Sequence, residues 1–330
     1  MARVTVFGAG AMGTAMAMHA ARLGLDTALW ANPFDAASLE AMKADGKHPA
    51  IPAHLPESLP LFGPDELELA AAGCEVAVMA ASSAGARSLA RMIKDAAADA
   101  RVIISVAKGL ESETFLRVSQ VLEEEIPGVP VAAIGGPCLA AELAQELPTA
   151  AVWAAREEGT ARAAGTLFED RHYQIYYTDD LVGTEYCSVI KNVAAIGMGL
   201  LDGLGMALTE NFKNAKAALF TKAMDEVATL VVALGGRADT ALGLAGLGDC
   251  LVTGLGGRNR LYGELVGAGR DPQATLQDMQ SRGLTVEGVD SALDVRQLTQ
   301  ERQLVLPYHE AVYRVLLEGG DPRSLLEVLC

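Results

Sequence analysis

Basic side chains are scarce in this chain. It has 26 lysines and arginines against 42 aspartates and glutamates, which gives a formal net charge of -16. Nucleic acids and anionic membranes are bound by clustered lysine and arginine, so we expect neither as a partner. A phosphorylated ligand would have to be held by a local group of basic residues against the overall negative field.

Cysteine is sparse too. The chain has five cysteines, scattered and without a Cys-x-x-Cys pair: Cys74, Cys138, Cys187, Cys250 and Cys330. This usage is typical of reduced thiols in a cytoplasmic protein. The first residues lack the basic start of a signal peptide, and no run of about 20 apolar residues predicts a membrane span. We therefore expect a cytoplasmic protein without a membrane-spanning segment.

Three common kinds of catalytic pattern are also missing. The five histidines lie outside the segments that look chemically active below, which gives little support to a histidine general acid. No group of residues has the spacing of metal ligands, so we expect no metal. No Gly-x-Ser-x-Gly or Cys–His pattern indicates nucleophilic catalysis.

A glycine-rich turn near residue 8 is the most informative feature present. The apolar run 4–7 ends on a Gly-x-Gly-x-x-Gly pattern formed by Gly8, Gly10 and Gly13, and a helix-forming stretch follows at once. The three glycines suit a tight turn, close approach of the backbone to phosphates and close packing of helix on strand. The start of the helix, with Ala11 and Met12, then offers free N–H groups to an anion. The pattern predicts a pyrophosphate site rather than a glycine turn without a ligand.

The chain is predicted to have two domains. Its 330 residues, 51% of them hydrophobic, are enough for two cores. Strand and helix signals alternate in the first half, which indicates a parallel sheet with helices on both faces. The predicted strands are 4–7, 27–30, 76–79, 102–106, 131–134, 150–153 and 173–177. Helical patterns then take over, at 184–201, 214–234, 275–280, 289–300 and 307–317.

The expected fold class is therefore α/β: an N-terminal Rossmann-type doubly wound parallel sheet followed by an all-helical C-terminal domain. We place the dinucleotide-binding domain at residues 1–182 and the substrate-binding, catalytic domain at 183–330. The proline-rich stretch 48–60 is predicted to be a loop.

The tip of the second predicted strand bears on the choice of cofactor. In this fold an acidic residue there binds the adenosine ribose and favours NAD. The strand here ends Leu29-Trp30-Ala31-Asn32, without the acid. Asn32 could bond a ribose hydroxyl or a 2′-phosphate, and Asp35 is expected to lie too far along the chain. No arginine is near to hold a 2′-phosphate, so NAD and NADP both remain open, with dual use slightly favoured.

Lys191 interrupts a predicted helix that is apolar nearly all round. A buried charge is costly unless it is paired or used. Burial lowers the pKa of a lysine, which would make it a proton donor near neutral pH. The alternative is a lysine whose chain reaches the surface from a core helix.

A second segment with candidate functional residues is the glycine-dense stretch around residue 250. If Asp249 begins a short helix, Thr253 lies one turn on, on the same face. Arg258 and Asn259 follow a flexible glycine pair, and a guanidinium beside an amide suits a phosphate monoester. The alternative is an ordinary capping aspartate and a surface arginine.

Four further positions are candidates by their place in the predicted fold. Lys108 follows a predicted strand, at the edge of the sheet where ligands bind, although lysines are also common in solvated loops. Gly136 and Ala140 follow the next strand and line the same edge with small residues. Glu287 precedes a glycine and is a candidate cofactor contact.

Taken together, these segments resemble the NAD(P)-dependent glycerol-3-phosphate dehydrogenases over nearly the whole length of the chain. The matching motifs are Gly8-Ala9-Gly10-Ala11-Met12-Gly13, Lys108-Gly109-Leu110-Glu111, Gly136-Pro137, Lys191-Asn192, Gly203-Leu204-Gly205, Asn214-Ala215-Lys216-Ala217-Ala218, Gly246-Leu247-Gly248-Asp249 and Gly257-Arg258-Asn259-Arg260. The resemblance implies hydride transfer between NAD(P)H and dihydroxyacetone phosphate to give sn-glycerol 3-phosphate, which feeds phospholipid synthesis. A homodimer is expected.

The resemblance also implies residue roles. Lys191 matches the general acid and base at the C2 oxygen, and Asp249 matches its partner carboxylate. The implied substrate-binding residues are Lys108, Gly136, Asn192, Thr253, Arg258 and Asn259. The implied cofactor-binding residues are Gly8, Gly10, Ala11, Met12, Gly13, Asn32, Lys108, Ala140, Arg258 and Glu287.

The chain departs from the family pattern at residues 206–213, where the family has a shorter link. This insertion favours an alternative, a related dehydrogenase acting on another phosphorylated polyol or keto compound. A non-catalytic nucleotide-binding protein is a third reading, but such a protein has no reason to keep Lys191, Asp249, Thr253 and Arg258 together.

Overall fold

The computed structural model describes residues 2–329. The chain divides into two compact units, with the boundary between Leu181 and Val182. The first unit contains all the strands of the sheet, and the second consists of helices and their connections.

An eight-stranded sheet forms the centre of the first unit, in the order β3-β2-β1-β4-β5-β6-β7-β8. The strands are β1 Arg3–Phe7, β2 Asp26–Trp30, β3 Leu61–Phe62, β4 Val76–Met79, β5 Val102–Ser105, β6 Val131–Gly135, β7 Thr149–Ala155 and β8 Tyr173–Thr178. Neighbouring strands are parallel except for β6 and β7, which pair antiparallel. The chain therefore winds outward in both directions from β1, which is the doubly wound order of dinucleotide-binding sheets.

Helices connect the strands of this unit and cover the sheet. They are α1 Ala11–Arg22, α2 Ala36–Asp45, α3 Leu67–Ala71, α4 Ala86–Ile93, α5 Val118–Glu125, α6 Ala140–Ala144 and α7 Glu158–Gly165, with short 3₁₀ turns at Pro33–Asp35, Pro64–Glu66 and Ser83–Gly85. Strands such as β4 are buried along their whole length, as expected for a parallel sheet packed on both faces.

The predicted fold class is confirmed. Every predicted strand is present, with ends that differ by no more than two residues. The two-residue strand β3 was missed because its apolar pattern is too short to stand out beside the proline-rich stretch before it. That stretch, 48–60, contains no helix or extended strand, only an isolated bridge between Lys47 and His54.

The second unit is helical. Its helices are α8 Leu181–Leu208, whose first residue belongs to the first unit, α9 Lys213–Ala233, α10 Ala238–Leu242, α11 Asp249–Leu255, α12 Arg258–Gly267, α13 Pro272–Ser281, α14 Glu287–Glu301, α15 Pro307–Leu317 and α16 Ser324–Glu327. The helical patterns in the sequence did not include α10, α12 or α16, and α11 was considered only as a short helix that Asp249 could begin. Glycines separate α10, α11 and α12 and hide their periodicity. A single π-helical turn, Leu244–Gly248, leads directly into α11.

Helix α8 is long and apolar enough to cross a membrane by length and composition alone. It has 28 residues, and its most apolar window has a mean hydropathy of 1.3. Within that window 89% of the residues are buried inside the protein. Core helices of globular proteins have this character.

Reciprocal glycines let α8 and α12 pack closely. Each helix carries two glycines four residues apart, on the face that meets the other helix: Gly199 and Gly203, Gly263 and Gly267. A Cβ atom on any of them would lie 2.0 to 2.2 Å from a backbone carbonyl oxygen of the facing helix. The glycines therefore fix the distance between these two helices, which carry Lys191 and Arg258.

A buried carboxylate joins α15 to α9. Glu226 of α9 is 2% exposed. Its carboxylate accepts the backbone N–H groups of Tyr308 and His309 at 2.9 and 3.1 Å, at the start of α15. The hydroxyl of Tyr308 donates to the carbonyl oxygen of Ala194 in α8 at 2.9 Å. This network stabilises the α15 N-terminus and holds it against α8, one turn from Lys191.

Candidate active site

The glycine-rich turn between β1 and α1 is shaped by backbone packing. Gly8 has a φ of +113°, and a Cβ there would lie 2.2 Å from the carbonyl oxygen of Ala80. A Cβ on Gly13 would lie 2.1 Å from the carbonyl oxygen of Gly8. Any other residue at Gly8 or Gly13 would push the strand, turn and helix apart.

Gly10 differs from its two neighbours in the motif. It precedes α1 in extended conformation, and as a glycine it has no side chain with which to cap the helix. No atom lies within 4 Å of a Cβ built on Gly10. The open space and the uncapped N–H groups at the start of α1, which begins with Ala11 and Met12, fit a dinucleotide pyrophosphate.

The tip of β2 differs from the sequence expectation. Asn32 is buried, and its side-chain oxygen accepts the backbone N–H of Phe34 at 2.8 Å. Asp35 was expected to lie too far along the chain for the ribose, but its carboxylate returns to the glycine-rich turn. The 3₁₀ turn at Pro33–Asp35 folds back, and Asp35 Oδ2 accepts the N–H of Ala9 at 2.7 Å. The acidic group therefore touches the glycine-rich turn itself.

Lys108 and Gly136 meet at the carboxyl ends of β5 and β6. The Lys108 Nζ donates to the Gly136 carbonyl oxygen at 3.2 Å. A small cavity at this edge is lined by Lys108 and Met12, together with apolar side chains and Cys138. Ala140 begins α6 just beyond Gly136. Predicted cofactor and substrate residues of the first unit thus surround one edge of the sheet, where ligands bind in this fold.

Lys191 and Asp249 form a buried ion pair in the second unit. Lys191 Nζ of α8 lies 2.5 Å from Asp249 Oδ1 of α11. The side chains are 7% and 2% exposed, so Lys191 does not extend to the surface from its helix. Cys250 follows Asp249, and burial raises the pKa of its thiol to about 12. The thiol is therefore neutral at physiological pH.

Asp249 begins α11, which is the case in which the sequence analysis placed Thr253 one turn on. The Thr253 hydroxyl donates to the carbonyl oxygen of Asp249 at 2.6 Å. The preceding π-helical turn was not predicted. It contains Gly246, where a Cβ would lie 2.0 Å from the carbonyl oxygen of Ala241. Single π turns of this kind are frequent at functional sites, where they re-aim a helix and its side chains.

Two asparagines join the helices around the ion pair. Asn259 Nδ2 donates to Asn192 Oδ1 at 3.0 Å, and Asn259 Oδ1 accepts the N–H of Gly288 at 2.9 Å. Both side chains are buried. Asn192 directly follows Lys191 in the sequence, and Asn259 directly follows Arg258. The contact between the two asparagines therefore brings the backbones of Lys191 and Arg258 close together. Glu287, the first residue of α14, is held beside them through Gly288.

Two neighbouring arginines differ sharply in their surroundings. Arg260 pairs with Asp202 at 2.6 Å and with Glu264 at 2.9 Å. Arg258 is the first residue of α12, is exposed, and takes part in no ion pair recorded for residues 2–329. The guanidinium of Arg258 is thus available to an external anion, whereas that of Arg260 is engaged within the protein.

A doubly wound sheet with a Gly-x-Gly-x-x-Gly turn at its first helix defines the class of dinucleotide-binding dehydrogenases. The profile described as NAD-dependent glycerol-3-phosphate dehydrogenase N-terminus matches residues 3–161, and the profile for the C-terminus of the same enzymes matches residues 180–327. The chain therefore belongs to the NAD-dependent glycerol-3-phosphate dehydrogenase family.

Individual relatives agree with this assignment. A Salinibacter ruber protein named glycerol-3-phosphate dehydrogenase, with NAD(P)+ as cofactor, is 36% identical over 332 residues, covering 99% of this chain and 93% of that protein. A Chlorobium limicola protein of the same name is 35% identical, covering 96% of this chain and 93% of its own length. The crystal structure of glycerol-3-phosphate dehydrogenase from Coxiella burnetii superposes with a TM-score of 0.87 at 31% identity, covering 99% of this chain and 98% of that one.

Proposed function

We propose that the protein interconverts dihydroxyacetone phosphate and sn-glycerol 3-phosphate with NAD(H) or NADP(H). The observation that carries this is the buried Lys191–Asp249 pair, joined through Asn192 and Asn259 to the exposed Arg258. When bound at the glycine-rich turn, the nicotinamide cofactor supplies or accepts the hydride at C2 of the substrate.

Lys191 is the proposed general acid in the reducing direction. As an ammonium it stabilises the negative charge that builds on the C2 oxygen and then delivers a proton to it. In the oxidising direction the neutral amine accepts that proton. Asp249 holds the Nζ in place through the 2.5 Å contact, and the hydroxyl of Thr253 one turn away is the proposed further substrate contact.

The phosphate is proposed to bind at the start of α12. Arg258 supplies a guanidinium that can bond two phosphate oxygens, and Asn259 supplies an amide beside it. Binding the phosphate far from the reacting carbon uses its interaction energy to orient C2. Lys108 and Gly136 are proposed to contact the substrate from the first unit, and Glu287 and Ala140 to contact the cofactor.

The connection at residues 206–213 gives little support to a different substrate. Its first residues, Met206–Leu208, are the last of α8, and Lys213 already belongs to α9. Met206 lies 15 residues beyond Lys191 on the same helix, which is about 22 Å along the axis. An insertion at that distance does not line the proposed site on Lys191.

The cellular role follows from the chemistry. We propose that the enzyme works in the cytoplasm as a homodimer and supplies sn-glycerol 3-phosphate for phospholipid synthesis. Residues 1–182 are the proposed dinucleotide-binding domain and residues 183–330 the proposed substrate-binding, catalytic domain.

Steady-state kinetics test the proposal directly. Dihydroxyacetone phosphate would be reduced with NADH and NADPH side by side, and unphosphorylated dihydroxyacetone would serve as the matched control. We expect turnover of the phosphate ester and a far higher KM for the unphosphorylated ketone. No turnover of dihydroxyacetone phosphate, with turnover of another phosphorylated ketone, would contradict the substrate assignment.

A further inference from the structure

The carboxylate of Asp35 connects two parts of the cofactor site in the first unit. Asp35 Oδ2 accepts the N–H of Ala9, inside the glycine-rich turn, at 2.7 Å and the N–H of Asn32, after β2, at 3.2 Å. In doubly wound folds the adenosine ribose binds between this turn and the end of the second strand. Asp35 follows the end of β2 by several residues in the sequence. Its carboxylate nevertheless lies where the ribose binds in this fold.

The second oxygen of the same carboxylate is available to a ligand. Within residues 2–329, no hydrogen bond to Asp35 Oδ1 is recorded, and the residue is half-buried. The 3₁₀ turn is held by the reciprocal bonds of Asn32 and Asp35, so the carboxylate is preset rather than mobile. One oxygen fixes the turn, and the other can accept a hydrogen bond from a ribose hydroxyl.

The segment that carries Asp35 offers no arginine to an additional phosphate. The sequence has no arginine between Arg22 and Arg87. Lys43 and Lys47 are the lysines in that interval, and both are exposed. His48 is buried near Asp35 and Ala9. Burial lowers the pKa of its imidazole, and the neighbouring Asp35 carboxylate and Ala9 backbone oppose this effect only in part. The imidazole is therefore neutral at pH 7.5.

We propose that Asp35 makes this enzyme select NAD(H) over NADP(H), because its free carboxylate oxygen accepts the 2′-hydroxyl of the adenosine ribose and repels a 2′-phosphate. A phosphate monoester carries close to two negative charges at neutral pH, so the repulsion acts at short range between like charges. The inference rests on the proposed function, because both require that the glycine-rich turn binds a dinucleotide. It narrows the cofactor choice that the sequence leaves open.

Direct binding measurements test the proposal without relying on turnover. Dissociation constants for NADH and NADPH would be measured from the nucleotide fluorescence, at fixed low salt, for the wild type and for Asp35→Asn. We expect NADPH to bind the wild type about tenfold or more weakly than NADH, and the variant to reduce that ratio by about tenfold. The asparagine keeps an oxygen that can accept the N–H of Ala9, so the turn is retained.

Two further variants serve as a second test of the Asp35 charge and as a control. Asp35→Ser removes the charge and keeps a smaller acceptor, in case Asp35→Asn folds poorly by its melting temperature. Asp26→Asn is the matched control, since Asp26 lies at the opposite end of β2, 3.2 Å from Arg3, and its carboxylate is 58% exposed. The control should leave the ratio of the two dissociation constants unchanged.

The outcomes separate this proposal from the proposed function. Equal affinity of the wild type for both nucleotides, an unchanged ratio in Asp35→Asn and Asp35→Ser, or binding of neither nucleotide would overturn the role of Asp35. Selective binding of NADH that depends on Asp35, without turnover of dihydroxyacetone phosphate, would support that role and contradict the substrate assignment alone.

Discussion

The Nζ of Lys191 in α8 lies 2.5 Å from Oδ1 of Asp249 in α11, and both side chains are buried. An ion pair in such a place is weak evidence for stability, since removing two charges from water costs about as much as their attraction returns. In proteins, replacing a buried ion pair by apolar residues of similar volume is often neutral or stabilising. A buried lysine with a fixed carboxylate partner is instead a common feature of catalytic sites, where a group must hold and release a proton.

Replacing Lys191 should separate catalysis from cofactor binding. Lys191→Met keeps the length of the side chain and removes the proton donor, so kcat should fall by about 10²- to 10⁴-fold. The dissociation constant for NADH should change little, because the glycine-rich turn is untouched. Both quantities would be measured by initial rates and by nucleotide fluorescence.

A matched lysine controls for the loss of charge. Lys213 is exposed at the start of α9, and Lys213→Met should leave kcat near the wild-type value. Because Lys191→Met removes the ammonium beside the buried carboxylate of Asp249, the melting temperature of the variant must be checked as well. A folded Lys191→Met enzyme with wild-type kcat would remove Lys191 from the mechanism.

Arg258 should determine affinity for the phosphate. Arg258→Ala removes an exposed guanidinium that is not engaged within the described part of the protein, so the fold should persist. Loss of charge-assisted hydrogen bonds to phosphate should raise the KM for dihydroxyacetone phosphate by about 10- to 100-fold. Arg302→Ala, at another exposed arginine of the same unit, is the control. An equal KM in the two variants would mean that the phosphate binds elsewhere.

Local patterns in the sequence carry much of the fold and part of the site. Seven of the eight strands are predicted correctly because buried parallel strands are short apolar runs. Gly8, Gly10 and Gly13 identify their turn by spacing alone. Lys191 stands out since a charge in an apolar helix is unusual. In each case the evidence lies within a few residues of the feature.

The rest of the site depends on contacts that spacing does not reveal. Asp35 reaches Ala9 only because a three-residue 3₁₀ turn reverses the chain, and its place in the sequence suggests the opposite. Asn259 and Asn192 lie 67 residues apart and meet only when α8 and α12 pack. The π turn before Asp249 has no pattern of its own. Tertiary packing decides all three.

Gly263 should be intolerant of any side chain. Gly263→Ala places a methyl group 2.1 Å from the carbonyl oxygen of Ile196, so α8 and α12 must move apart. We expect the free energy of unfolding to fall by about 2–3 kcal/mol in urea titrations. The control is Gly159→Ala, at a helical glycine of α7 with no atom within 4 Å, which should be neutral or stabilising by up to about 1 kcal/mol. Similar losses in both variants would contradict the close packing of α8 on α12.

Asp294 of α14 should make stability depend on pH. Burial, with a smaller contribution from Asp290, raises the pKa of this carboxyl from 3.8 to about 6. A raised carboxyl pKa stabilises the folded protein only while the group is protonated, so this contribution is present below about pH 4 and is lost as the pH rises through 6. Asp294→Asn should therefore increase the free energy of unfolding at pH 8.

The expected change in the free energy of unfolding for Asp294→Asn follows from the same pKa shift, and the neighbouring aspartate offers a control variant. We expect a gain of about 1–3 kcal/mol at pH 8 for Asp294→Asn and a much smaller gain at pH 4.5, measured by urea unfolding at both values. Asp290→Asn removes only the neighbouring charge and should give a smaller gain at pH 8. Because an asparagine does not titrate, an equal gain for Asp294→Asn at the two pH values would mean that the change acts through packing and not through ionisation of the carboxyl.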